Sequence, residues 1–169
     1  MVAIETGAAG QTLLARLESS DGPELRRFFY RLSPETVYRR FHSPLARPEQ
    51  AQPQRLLDLD HHDREAVVAA LDGEIVGVAR YARRSGADVA EVAVVVADEW
   101  QRHGLATRML GALADLAEPV GIRHFALTMQ ADNRAALHLL RRFYPDAVLT
   151  HAQGIYEATV PVARLWKWE

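Results

Sequence analysis

The sequence predicts an α/β chain, a single domain with helices flanking a sheet, and three observations predict it. β-Rich runs at residues 66–71, 75–80, 89–97, 125–129 and 155–162 alternate with stretches whose apolar residues recur three and four apart. Asp72-Gly73 separates the first two runs, the turn chemistry of a tight hairpin. The run Val92-Ala93-Val94-Val95-Val96 stops at acidic residues, and a short glycine-bearing loop then enters a helix-periodic segment at Leu105. At 169 residues, 49% hydrophobic and 25% charged, the chain can bury one core without staples.

Residues 1–10 are small and featureless and are expected to fray, which places the domain at 11–169. Residues 12–17 read as a first strand, closed by Ser19, Ser20, Asp21 and Gly22. Asp21 with Pro23 signals a helix start, and Leu25, Phe28, Phe29 and Leu32 supply its apolar face. Ser33-Pro34-Glu35 opens a second helix carrying Val37, Tyr38 and Phe41, whereas Pro44, Pro48 and Pro53 mark 42–54 as loop. The hairpin follows, then a turn at Ser85-Gly86 and the strand 89–97. A helix over 105–117, a strand through Phe125, Leu127 and Met129, a helix over 133–143, and strands at 147–150 and 155–162 complete the order. Trp166 and Trp168 share one face of a terminal strand, a placement suited to packing or a homodimer contact rather than chemistry.

A formal charge of -2 gives no global pull toward nucleic acid or an anionic membrane. The absence of cysteine excludes disulfides, thiolate metal sites and cysteine nucleophiles. No apolar run reaches membrane-spanning length and no signal-peptide core opens the chain, so a soluble cytoplasmic protein is expected. His61 and His62 lack a partner at ligand spacing, and neighbours in an extended segment diverge; a polar turn is expected there, not a metal site.

The loop after residue 97 carries the most chemistry. Gln101, Gly104 and Ala106 stand in the spacing Q-x-x-G-x-A at the mouth of a helix, where unpaired N–H groups and the helix dipole attract phosphate. Small residues at 104 and 106 let a bulky anion reach the main chain.

This loop resembles the acyl-CoA pyrophosphate loop of the GNAT superfamily of N-acetyltransferases, and the element order resembles that fold along nearly the whole chain. The resemblance implies a mixed, mostly antiparallel sheet flanked by helices and splayed at the acyl-CoA slot. It implies acetyl-CoA as co-substrate, with Val94 and Val96 on the thioester and pantetheine arm and Gln101, Arg102, His103, Gly104, Leu105, Ala106 and Thr107 at the pyrophosphate. Arg102 and Arg108 could add charge near the 3′-phosphate, or simply be solvated. Asn133 matches an Asn that contacts the coenzyme's arm, while its position equally suits a helix N-cap.

Glu91 stands within Asp88-Val89-Ala90-Glu91-Val92-Ala93-Val94, one layer behind the loop. Partial burial there would suit a general base, and strand alternation equally produces a solvent-facing carboxylate. The strand from Glu91 to Asp98 resembles that of bacterial protein lysine acetyltransferases that modify acyl-CoA synthetases, where a Glu at this place is the base. Leu32-Ser33-Pro34-Glu35-Thr36-Val37-Tyr38-Arg39-Arg40-Phe41, Asp60-His61-His62-Asp63-Arg64-Glu65 and Gly77-Val78-Ala79-Arg80-Tyr81 are similar to further segments of that subgroup. The family's frequent Tyr acid is Leu140 here, and Tyr144 does not match its position, so the CoA thiolate is expected to leave unaided or through water. Larger members carry a regulatory or synthetase-like domain, for which a chain of this size has no room.

Arg26, Arg27, Arg31, Arg39 and Arg40 make the first two helices basic, either a solvated face or a dock for an acidic protein acceptor. The expected activity is therefore acetyl-CoA-dependent acetylation of a protein lysine. A small-amine acetyltransferase and a non-catalytic acyl-CoA sensor are the alternatives.

Overall fold

The computed structural model describes residues 1–5, 11–41 and 53–164. Strands β1 (Val2–Ala3) and β2 (Leu13–Arg16) lead through a short turn into helices α1 (Gly22–Tyr30) and α2 (Pro34–Phe41) and the single turn α3 (Pro53–Leu56). The hairpin β3 (Arg64–Leu71) and β4 (Glu74–Ala82) is followed by β5 (Val89–Val96). Then come α4 (Leu105–Ala117), β6 (His124–Gln130), α5 (Arg134–Phe143), β7 (Thr150–Ala152) and β8 (Ile155–Pro161).

The described strands form one sheet in the order β1-β2-β3-β4-β5-β6-β8-β7. Its pairs are antiparallel except β5 with β6, which run parallel with α4 as the crossover. The hairpin is held by Asp72 and Gly73 at φ of 49° and 82°, the left-handed pair that matches the twist of its strands.

Helices bury both faces of this sheet. On one face Ala79, Tyr81, Val92 and Phe125 pack with Met109 and Leu113 of α4. On the other Val68, Val78 and Val95 pack with Leu25, Phe28 and Phe29 of α1. Covering both faces is why β3 and β4 read as nearly continuous apolar runs.

Three expectations need correction. Residues 1–10 do not all fray: Val2–Ala3 pairs with Ala15 and Arg16, and the Met1 ammonium lies 2.7 Å from Asp21. Residues 6–10 lie outside the described residues, as does most of the expected 42–54 loop, whose end is helical at Pro53–Leu56. The strand expected at 147–150 is instead Thr150–Ala152, because Gln153 and Gly154 (φ 51° and 77°) form a turn that pairs Ala152 with Ile155. Trp166 and Trp168 lie outside the described residues.

Candidate active site

The parallel pairing of β5 and β6 is short. It runs from Val89 opposite His124 to Val92 opposite Leu127. Beyond it β5 continues against β4, with Val94 opposite Ala79 and Val96 opposite Gly77, while β6 continues against β8, with Met129 opposite Tyr156. The sheet therefore splays, as the family resemblance implied, and a cavity of about 550 Å³ lies along the opening.

Register shows that this cavity passes from one face of the sheet to the other. Ala82 is opposite Glu91 and Arg80 opposite Ala93, so these four share a face, while Val92 and Val94 share the other. Thr107 and Leu110 of α4 and Asn133, Ala136, Leu139 and Leu140 of α5 line the Val92 side. Arg39 and Arg40 of α2 line the cavity with Arg80 and Glu91.

The loop between β5 and α4 is a turn at Asp98–Trp100, an extended Gln101, and Arg102 and Gly104 at φ of 65° and 75°. Gly104 is the N-cap of α4 and supplies no side chain to the first turn, which also holds no acid. The first-turn N–H groups thus have no side-chain cap, and they lie beside exposed Gln101, Arg102, His103 and Gly104. Leu105 is buried and serves as an anchor for the helix, and Ala106 and Thr107 are half-buried.

The loop is tied to the start of α2. Asp98 accepts from the Ser33 N–H at 2.9 Å, the Ser33 hydroxyl at 2.6 Å and the Thr36 hydroxyl at 2.8 Å. Gln101 Nε2 donates to Thr36 Oγ1 and to the Val96 carbonyl, both at 3.1 Å. Burial opposes the Asp98 charge, yet the bonds from Ser33 and Thr36 outweigh it and hold the carboxyl below its ordinary range. Sequence reading placed Gln101 at the phosphate and passed over Asp98 and Thr36. The signal was present in Ser33-Pro34-Glu35-Thr36, where Ser33 Oγ accepts from the Thr36 N–H and starts the helix.

Of the residues expected at the coenzyme, Val94, Thr107 and Asn133 line the cavity, while Val96 and Gln101 through Ala106 lie outside its lining. The Asn133 side chain accepts from the Ala136 N–H at 3.1 Å, an N-cap at the cavity wall. Arg108 is drawn away from the loop, its guanidinium bonding Thr12 Oγ1 at 2.9 Å and Glu5 at 3.0 Å. Glu91 lines the cavity and is exposed, the solvent-facing one of the two placements that its strand position allowed. The Tyr144 hydroxyl donates to the Pro161 carbonyl at 2.9 Å, which commits it to β8.

The basic helices are largely engaged within the chain. Arg27 meets Glu24, Arg31 meets Glu74 and the Ile75 carbonyl, and Arg39 meets Glu35. Arg40 lines the cavity with Arg39, and there burial and then repulsion from Arg80 lower it to about 10. Arg80 had no role assigned from sequence. The two histidines sit in a turn, His61 at φ 56°, and engage different carboxylates: Nδ1 of His61 is 2.9 Å from Glu65, Nδ1 of His62 is 3.0 Å from Asp63. Among the described residues no group of three His, Asp or Glu could hold a metal ion, and no helix is long and apolar enough to cross a membrane.

Comparison with known proteins places this geometry. Residues 26–143 match the model of the Acetyltransferase (GNAT) family. The chain is 34% identical over 137 residues to the acetyltransferase PA5475 of Pseudomonas aeruginosa, covering 78% of this chain and 74% of that protein. It is 35% identical over 114 residues to the acetyltransferase Pat of Mycolicibacterium smegmatis, covering 65% of this chain but only 34% of that longer protein. The crystal structure of the GNAT domain of S. lividans PAT superposes with a TM-score of 0.80 at 25% identity, covering 89% of this chain and 90% of that one. The chain belongs to the GNAT family and is an acetyltransferase.

Proposed function

We propose that this protein transfers the acetyl group of acetyl-CoA to a lysine amine of a protein acceptor resembling an acyl-CoA synthetase, through one catalytic domain at 11–169. The observation that carries the reading is the cavity that crosses the splayed sheet, with Glu91 on the face opposite the α4 and α5 walls. Support for a protein acceptor comes from the likeness of residues 32–41 to the lysine-acetylating subgroup.

In this reading acetyl-CoA enters from the α4 and α5 side. Its pyrophosphate meets the N–H groups that begin α4, with Gln101, Arg102, His103, Gly104, Leu105, Ala106 and Thr107 shaping the cradle. The edge of β5 that β6 leaves open offers the main chain of Val94 and the N–H of Val96 to the thioester and pantetheine arm, while Gln101 holds the Val96 carbonyl, and Asn133 borders that arm. Oxyanion stabilisation then needs only backbone donors.

The acceptor amine arrives from the α2 side. A lysine amine, with an ordinary pKa of about 10.4, must lose a proton before or during attack, and Glu91 accepts it directly or through one water. Nitrogen then bonds to the acetyl carbon, the tetrahedral species collapses, and the carbon–sulfur bond breaks to release the CoA thiolate. Tyr144 is held by Pro161 and Leu140 has no proton to give, so the thiolate leaves unaided or through water.

The test is thiol release from acetyl-CoA over a panel of acyl-CoA synthetases and small amines. Turnover confined to synthetases, with the product mapped to lysine, is expected. Brisk turnover of a free amine with none on the proteins would favour a small-amine enzyme, and coenzyme binding without any turnover would favour a sensor.

A further inference from the structure

Attack on a thioester asks more of the acceptor nitrogen than the loss of a proton. Its lone pair must point through the fork of the sheet, so its N–H bonds need acceptors on the face from which it arrives. Guanidinium groups only donate, which removes Arg39, Arg40 and Arg80 from that task although they line the cavity. The described lining residues with a side-chain oxygen are Glu91, Thr107, Thr128, Asn133 and Tyr144. Thr107 stands on α4, and Asn133 and Tyr144 stand at the two ends of α5, all on the far wall. Asn133 caps α5 and the Tyr144 hydroxyl donates to Pro161, so these two are also engaged elsewhere. Glu91 and Thr128 remain.

Register brings these two to one place. Ala126 is opposite Glu91, so Thr128, two residues along β6, lies on the same face. Pairing of β5 with β6 ends at Val92 and Leu127, which makes Thr128 the first β6 residue past it, at the fork itself. Strands about 4.8 Å apart and a step of about 6.6 Å for two residues put the two Cα atoms roughly 8 Å apart before the splay widens the gap. The two side chains and one nitrogen or water can fill that span. Thr128 is exposed, and among the described residues its hydroxyl makes no hydrogen bond, not even to Glu157 opposite it on β8. We propose that the Thr128 hydroxyl is a second anchor for the acceptor amine, accepting one N–H bond while Glu91 serves as the base, and so turning the lone pair toward the thioester. Of the three protons of the incoming ammonium, one passes to Glu91 and frees the lone pair. Nitrogen then bonds to the acetyl carbon, a second proton leaves to water, and the carbon–sulfur bond breaks to release the CoA thiolate. The third proton stays in the amide product, and it is the one Thr128 holds; Thr128 keeps its own proton throughout.

This inference rests on the reading of Glu91 as the base, and the experiment separates the two. Single-turnover acetyl transfer from acetyl-CoA is measured with the full chain and whichever member of the synthetase and amine panel reacts fastest, because the contact is with the nitrogen and not with its carrier. Thr128→Val keeps the β-branched shape and removes the hydroxyl. Its rate at saturating acceptor should fall roughly 10–100-fold, the cost of a misplaced nucleophile, with acetyl-CoA affinity by calorimetry unchanged. The half-saturating acceptor concentration should move by less than about threefold, since the contact matters most in the transition state. Thr128→Ser, which restores the hydroxyl, should recover the rate to within about threefold. A rate in Thr128→Val like that of the unaltered protein overturns the anchor and leaves the Glu91 reading standing. An equal loss in Thr128→Ser overturns it too, as the mark of a packing effect, and so does a loss confined to acetyl-CoA affinity. Full activity of Glu91→Gln beside a slow Thr128→Val would sink the base but keep the anchor. No turnover of any member of the panel would overturn both.

Discussion

Replacing Asp98 with Ala should loosen the loop between β5 and α4 from α2, and the structure sets the size of the effect. Three hydrogen bonds to its carboxylate would be lost, at 2.9, 2.6 and 2.8 Å. Charge-assisted bonds are strong, but this carboxylate is exposed and screened, so about 2–3 kcal/mol in total is the reasonable sum. For a chain of this size that is a fall of roughly 4–12 °C in Tm, read by circular dichroism. Gln101 would keep its bond to the Val96 carbonyl while its partner Thr36 loses an anchor. An ordering cost of about 1 kcal/mol moved onto coenzyme binding would weaken acetyl-CoA roughly fivefold by calorimetry. Asp98→Asn should fall between the two. A variant with both Tm and acetyl-CoA affinity unchanged would refute the idea that this clasp holds the loop.

Two further outcomes follow from the same geometry. Gly104→Ala strains a residue at φ 75° by about 1 kcal/mol but leaves the anion site open, whereas Gly104→Glu adds a charge where the pyrophosphate is proposed to sit. Calorimetry should therefore find modestly weakened acetyl-CoA binding in the first and none in the second; equal affinities would discard the loop assignment. Asp60 is held down to about 2: burial opposes its charge, but N–H groups of Arg64, His62 and Asp63 outweigh that. Its folded pKa lies below the unfolded one, so its stabilisation is full above about pH 4 and is lost as pH falls through about 2. Thermal melts of Asp60→Asn should lose part of that acid dependence, and identical Tm-against-pH curves would count against the turn's role.

Period and turn chemistry made most of the fold legible. Asp72-Gly73 fixed one hairpin, and the helix over 105–117 has the bounds its apolar spacing implied. Val2–Ala3 was missed because two residues carry no period, and their pairing depends on a strand ten residues on. Gln153-Gly154 was missed because Gln is a poor predictor of a left-handed turn residue, although the structure places it there. At the site, the loop entering α4 could be read because a glycine at positive φ before a helix is a local requirement of the chain. Arg80 could not, since within β4 it looks like any polar strand residue; only its register against β5 and the approach of α2 give it meaning. The exposure of Glu91 stayed open at the sequence level for the same reason, because which side of a strand opens to solvent is decided by the elements stacked on it.

The most direct test of the catalytic account is the pH dependence of single-turnover acetyl transfer by Glu91→Gln, measured on the acceptor identified by the synthetase panel. Gln keeps the shape but cannot take the amine proton. The account predicts acetyl-CoA affinity like that of the unaltered protein and a rate loss of about 10²–10⁴ at neutral pH. The loss should shrink as pH approaches the amine's pKa of about 10.4, where the acceptor arrives neutral. Full activity at neutral pH with chemistry rate-limiting would contradict the account and leave Glu91 an ordinary residue on the outward face of β5.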